Sequence, residues 1–233
     1  FYKFNFLYFL SRSLNTKIGL NWYLVDPKKI SQNEFLKHDG EKRGYLKNSS
    51  KEFICNKELT KELHQFKEQQ KRNIKEFTNK TYLNKFILFF NKELNLQNRD
   101  AWFNDSLKYF KQNTFIFLDP DNGLTKSKSL GKNSIKFVKI NELVKYQLEK
   151  KIIIFTQFKP FTKNHREYLK ELIFYLKHNM IEIEFPIIRN RTSPNTFFIT
   201  IVGNKNNYNL ADIYHQYSKI NDKVEILPIS SLI

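Results

Sequence analysis

The chain has 233 residues, 40% of them hydrophobic and 16% aromatic, and its 40 basic and 23 acidic residues leave a formal net charge of +17. That is enough apolar material for one packed domain. A single cysteine, Cys55, excludes an internal disulfide and an all-cysteine zinc site, and no run approaches the roughly 18 apolar residues of a membrane helix.

The opening FYKFNFLYFL reads as a buried first helix, with Lys3 and Asn5 interrupting it. Met180 is the only methionine, so residue 1 is not expected to be a translation start. Residues 17–25 (KIGLNWYLV) read as a buried strand ended by Asp26-Pro27. A polar loop is expected over residues 28–50. Residues 57–77 place Leu59, Leu63, Phe66, Ile74 and Phe77 on one helical stripe, with charges on a solvated face. KFILFF (85–90) is a strand. Residues 99–111 form a helix with Trp102, Leu107 and Phe110 inward. TFIFL (114–118) is a buried strand that runs directly into Asp119-Pro120-Asp121-Asn122-Gly123.

Asn141 is placed to cap a short helix over residues 141–150. Residues 151–157 (KIIIFTQ) form another buried strand, and residues 162–179 a helix with Tyr168, Leu169, Leu172, Ile173 and Leu176 on one face. Residues 181–188 and 196–203 are strands joined by RNRTSPN, and a last helix covers residues 210–219. Alternating strands and helices with a closing hairpin predict one α/β domain over residues 1–233. It would be Rossmann-like, with a mostly parallel sheet of about six or seven strands and a C-terminal antiparallel pair.

In such sheets ligands lie beyond the carboxyl ends of the strands. The residues to weigh are therefore those after KIGLNWYLV, TFIFL and KIIIF. Two carboxylates and an amide follow TFIFL, with Pro120 ending the ladder and Gly123 free to take a positive φ. Turn chemistry alone explains Asp, Asn, Pro and Gly, but it does not require two acids at a buried strand's end. Asp119, Asp121, Asn122 and Gln157 are the catalytic candidates, with Thr156 beside them. Asp26, Pro120 and Gly123 are the cofactor-side candidates.

Only seven of the basic residues are arginine, and Lys, Asn, Ile and Phe share A- and T-rich codons, so local clustering says more than total charge. Lys126, Lys128, Lys132, Lys136 and Lys139 follow the turn with no acid between residues 122 and 141. Such a run suits a phosphate backbone across the mouth of the site, although it also suits a solvated loop. Arg189 and Arg191 are candidates for the same edge. The five histidines have no ligand-like spacing, and no P-loop, GxGxxG, GxSxG or HExxH is present. Nucleic acid is the expected partner, with no membrane association and a cytoplasmic location.

Three resemblances follow from these residues. Gly19 to Leu24, Arg99 to Trp102 and Phe117 to Leu124 match the "G-[VL]-x-W-Y-L", "R-x-x-W" and "F-L-D-P-D-N-G-L" segments of an uncharacterised bacterial and phage family marked by a DPDNG turn. Members of that family carry a His where this chain has Gln157. More remotely, the strand and Asp-Pro turn resemble the Asp/Asn-Pro-Pro-aromatic motif of S-adenosylmethionine-dependent amino-methyltransferases, and the closing hairpin is similar to theirs. That likeness implies that Asp119 and Pro120 hold a target amine. Asn122 stands at the aromatic's place, and Asp26-Pro27-Lys28 follows the first strand where the family has a glycine-rich turn. Finally, Asp119-x-Asp121 with Thr156 resembles the haloacid-dehalogenase phosphatases, in which Mg²⁺ bridges the two acids. Their late acidic pair is missing from Gly203-Asn204-Lys205.

The expected function is a nucleic-acid-acting, methyltransferase-like enzyme or enzyme-derived domain centred on Asp119 and Asp121, with the cofactor left open between S-adenosylmethionine and Mg²⁺. A metal-dependent nuclease or phosphatase-like hydrolase, with Mg²⁺ on Asp119 and Asp121, is the first alternative. A non-catalytic nucleic-acid or protein-binding module on the same fold is the second.

Overall fold

The computed structural model describes residues 1–30, 56–68, 74–127, 131–160, 162–191, 195–203 and 208–233. Helix α1 (Tyr2–Leu14) leads into strand β1 (Ile18–Asn21). The helices α2 (Lys57–Glu68) and α3 (Ile74–Lys80) precede β2 (Ile87–Phe90). Next come α4 (Arg99–Tyr109), β3 (Phe115–Leu118), α5 (Ile140–Leu148) and β4 (Ile152–Phe158). The chain then forms α6 (His165–His178), β5 (Ile187–Asn190), β6 (Thr196–Val202), α7 (Leu210–Lys219) and β7 (Val224–Leu227).

The strands form one sheet in the order β2-β1-β3-β4-β6-β5-β7. Pairing is parallel from β2 through β1 and β3 to β4, and antiparallel from β4 onward. The architecture is α/β with a mixed sheet, parallel in its core. Parallel strands need both faces covered, and their sequences read as unbroken apolar runs for that reason. FIFL of β3 is buried at all four positions.

Alternation divides these runs between two cores. Ile116, Leu118, Ile153 and Phe155 face α4, α5 and α6. Phe115, Phe117, Ile152 and Ile154 face α1 and α7. Phe6 of α1 is fully buried in the second core, with ring centroids 5.0 Å from Phe198 and 5.2 Å from Tyr217. Burying each such ring contributes on the order of 1.5–3 kcal/mol.

Several boundaries differ from the sequence reading. The stripe over residues 57–77 is two helices, with residues 69–73 outside the described part. The loop over residues 28–50 begins with a 3₁₀ turn at Pro27–Lys29, and residues 31–55 lie outside the described part. Asn141 does not cap α5. That helix starts one residue earlier, and Glu142 turns back to accept the Lys139 N–H at 3.0 Å. β5 starts only at Ile187, because Pro186 has no N–H to give a ladder and Glu182 and Glu184 are exposed. β7 is a further strand, paired antiparallel to β5 at the sheet's edge. No helix among the described residues is long and apolar enough to cross a membrane.

Candidate functional site

From β1 the chain crosses to one side for β2, then returns to the other side for β3. The strand order reverses between β1 and β3, and in open α/β sheets the crevice at such a reversal receives the ligand. Asp119 sits there. Its N–H donates to the Asn21 carbonyl at 2.9 Å, carrying the β1·β3 ladder one step past the strand. By alternation with Phe115 and Phe117 its side chain emerges on the α1 face of the sheet.

Two partners hold the Asp119 carboxylate. Lys3, in the first turn of α1, donates to Oδ2 and forms an ion pair with it. Thr156 Oγ1 donates to Oδ1 at 3.2 Å. Lys3 Nζ also lies 5.0 Å from the centre of the Trp22 ring, close enough for a cation–π attraction. Trp22 stacks on Phe89 at 6.0 Å, and its buried indole N–H has no hydrogen-bond partner among the described residues. The ammonium of Lys3 is thus enclosed by a carboxylate and an indole at the strand-order reversal.

The rest of the acidic turn differs in burial. Pro120 is buried, while Asp121 and Asn122 are exposed. Gly123 has φ 81°, and a Cβ there would lie 2.5 Å from Gln157 Oε1. Gln157 is buried; its Oε1 accepts the Leu124 N–H at 2.7 Å and its Nε2 donates to Tyr168 Oη at 2.5 Å. Gln157 therefore clamps the turn from the opposite face to Asp119. The turn also pairs with its own return segment. Asn122 N–H donates to the Lys136 carbonyl, and Leu124 forms a parallel bridge with Val138.

That return segment is fixed by a buried charge network absent from the sequence reading. Arg99, from α4, donates to both Glu142 oxygens at 2.6 and 2.9 Å, and to the carbonyls of Ser134 and Phe137 at 3.0 and 2.6 Å. Burial alone would lower the guanidinium's pKa, but the hydrogen bonds and charge of Glu142 outweigh it and hold it above its ordinary value. Tyr23 Oη donates to Glu142 at 3.1 Å, and burial followed by that negative charge pushes its phenol well up. Tyr23 is left-handed at φ 50°, an uncommon conformation for a bulky residue. Its N–H donates to the Asn21 side chain at 3.1 Å, so the exit from β1 is pinned at both ends of this residue. Arg99 and Tyr23 both stand inside the quoted family segments, and that was the one signal that pointed to them.

The lysine segment lies with α5 and α6. Lys126 is 3.7 Å from Glu171, and its Nζ is 5.8 Å from the Tyr175 ring centre. Lys126 and Lys139 line a cavity of about 720 Å³ together with Thr125, Ser127, Gly131, Ser134, the start of α5 and the end of α6. Lys132 is exposed and Lys136 half-buried, while Lys128 lies outside the described residues. Lys126 and Lys139 are on the sheet face opposite to the Asp119 carboxylate. Arg189 pairs with Glu225 at 2.8 Å and His165 at 3.2 Å, and Arg191 donates to the Asp222 carbonyl. Asp26 accepts the Lys28 N–H at 3.0 Å and shapes the 3₁₀ turn after β1. Asp119 and Thr156 are thus brought together, while the side chain of Gln157 is engaged with Leu124 and Tyr168, that of Arg189 with Glu225 and that of Lys126 with Glu171.

Among the described residues, no group of three or more His, Cys, Asp or Glu side chains is placed to hold a metal ion. No protein-family model, curated protein or solved structure matches the chain.

Proposed function

We propose that the chain is a methyltransferase-like, nucleic-acid-acting α/β domain whose ligand crevice opens at the carboxyl ends of β1 and β3, with Asp119 as its polar anchor. The observation that carries this reading is the Asp119 carboxylate at the strand-order reversal, already holding an ammonium group against an indole. A carboxylate so placed accepts hydrogen bonds from an amine, as the Asp-Pro resemblance implies for a target amino group. The hairpin in which β6 inserts antiparallel between β4 and β5 supports the same likeness.

S-adenosylmethionine would supply the methyl group. The exit from β1 makes its sharp turn without glycine, at left-handed Tyr23. Asp26, Pro120 and Gly123 border that edge. A second reading has a specific observation behind it. Lys3 occupies the amine position on Asp119, and a permanently filled anchor suits a non-catalytic binding module on an enzyme's fold.

Calorimetry with S-adenosylmethionine in the presence of a chelator tests the first reading, together with labelled methyl transfer to a mixed oligonucleotide pool. Cofactor binding is expected in the native chain and in Asp119→Ala, with transfer lost only in the variant. Absence of both heat and transfer removes the methyltransferase reading in favour of the binding module. Cleavage of the pool that needs Mn²⁺ and is lost in Asp121→Asn would replace both with a hydrolase.

A further inference from the structure

We propose that Lys126 and Lys139 belong to a second site, a pocket bordered by Thr125, Lys126, Ser127, Gly131 and Ser134, the start of α5 and the end of α6, that binds a nucleoside phosphate. The cavity of about 720 Å³ is of the size that takes a nucleotide. Its lining includes Lys126, Lys139 and His178 as cationic or protonatable groups, Tyr175 as an aromatic ring, and Thr125 and Asn141 as hydrogen-bonding side chains. Among the described residues, no Asp or Glu belongs to that lining.

Among the described residues, Glu171 and Glu142 lie close by, and each is committed at least in part to another cation. Glu171 is shared by two lysines, Lys163 at 2.5 Å and Lys126 at 3.7 Å, and hydrogen bonding to Lys163 holds its carboxyl below the ordinary range. Glu142, in the first turn of α5, is turned inward and committed to Arg99. Lys126 and Lys163 share the one negative charge of Glu171, so the group keeps a net positive charge beside the Tyr175 ring. Lysine supplies the attraction for phosphate, and a ring accepts a base by stacking without sequence preference.

The pocket is on the α5 and α6 face, whereas the Asp119 carboxylate emerges on the α1 face. The proposal does not depend on the methyltransferase reading, and the two fail separately. The ligand's chemistry is common to a free nucleotide and to one residue of a single strand.

Calorimetry with ADP and with a thymidine pentanucleotide, both without metal, provides the test. Binding of at least one probe is expected, weakened tenfold or more in the double variant Lys126→Gln/Lys139→Gln and several-fold in Tyr175→Ala. Asp119→Ala, and Lys57→Gln/Lys61→Gln on α2, should leave affinity within twofold. Equal affinity for the two probes assigns the site to a nucleotide moiety alone. Tighter binding of the pentanucleotide assigns it to single-stranded nucleic acid. If neither probe binds, or if the α2 pair weakens binding as much as the pocket pair, the site is refuted.

Discussion

Arg99 and Glu142 are 5% and 4% exposed at their side chains, so each is a full charge removed from water. Their attraction is worth having only while both are present. Removing one partner leaves the other buried and unpaired, a cost of about 3–5 kcal/mol. Glu142→Gln should therefore lower the urea midpoint by that equivalent, and adding Arg99→Met should recover part of the loss. A double variant as unstable as the sum of the singles would mean that the two residues act independently. Gly123 is a different kind of dependence. Alanine there must adopt φ 81° and drive its Cβ against Gln157, whose amide is fixed at both ends. Gly123→Ala should cost about 1–3 kcal/mol and disturb Leu124, read as faster amide exchange at that residue. His165 gives a pH dependence. Burial first, then the charge of Arg189, lowers its pKa from the ordinary 6.5, with Arg166 and Lys159 acting in the same sense and Glu225 against them. The folded state then binds fewer protons than the unfolded chain just below pH 6.5. This contribution is complete above that pH and is lost as pH falls through the depressed folded value. Comparing urea midpoints at pH 7.5 and 5.5, His165→Asn should fall less on acidification than the native chain. An identical fall in both would exclude His165 as a contributor.

Among the elements, α1 has the widest consequences, because it both covers the sheet and delivers Lys3 to Asp119. Phe6→Ala should cost about 3–5 kcal/mol by opening space between Phe117, Phe198 and Tyr217. If the cost were near zero, α1 would be peripheral and its contact with Asp119 incidental. The elements that sequence reading located best are those whose neighbours are dictated by period. Residues 210–219 are helical from end to end as read, and the unbroken apolar runs of β3 and β4 announced buried parallel strands. Their carboxyl ends placed Asp119 at the sheet's edge beforehand. What escaped lacks local pattern. VEIL of β7 is four residues with Glu225 at its second position, too short to show alternation at a sheet edge. Pro186 cut β5 back by six residues, a steric effect that an apolar run cannot report. The Lys3–Asp119 contact spans 116 residues of chain, and Arg99 and Glu142 look like surface charges until a fold encloses them. The lysine run reads as a cluster, but nothing in its spacing shows that Lys126 and Lys139 lie across the sheet from Asp119.

At the scale of the whole molecule the net charge of +17 acts on stability and on binding with opposite signs. An excess of like charge repels itself in the folded state, where the charges are closer than in an unfolded chain. Added salt shortens the Debye length to about 10 Å at 0.1 M and weakens that repulsion. The urea midpoint should therefore rise between 20 and 200 mM salt. Paired surface lysines such as Lys80 with Glu76 lose a little over the same range, by well under 1 kcal/mol each. Binding to a polyanion should move the other way. Each phosphate contact releases counterions, so the slope of log K against log salt becomes more negative by roughly 0.7 for a single strand and 0.9 for a duplex. A stability that rises with salt while affinity falls identifies the charge as one kept for binding at some expense to the fold. A stability that falls with salt would mean that local ion pairs outweigh the net repulsion, and the excess of lysine would then have to be explained by codon composition alone.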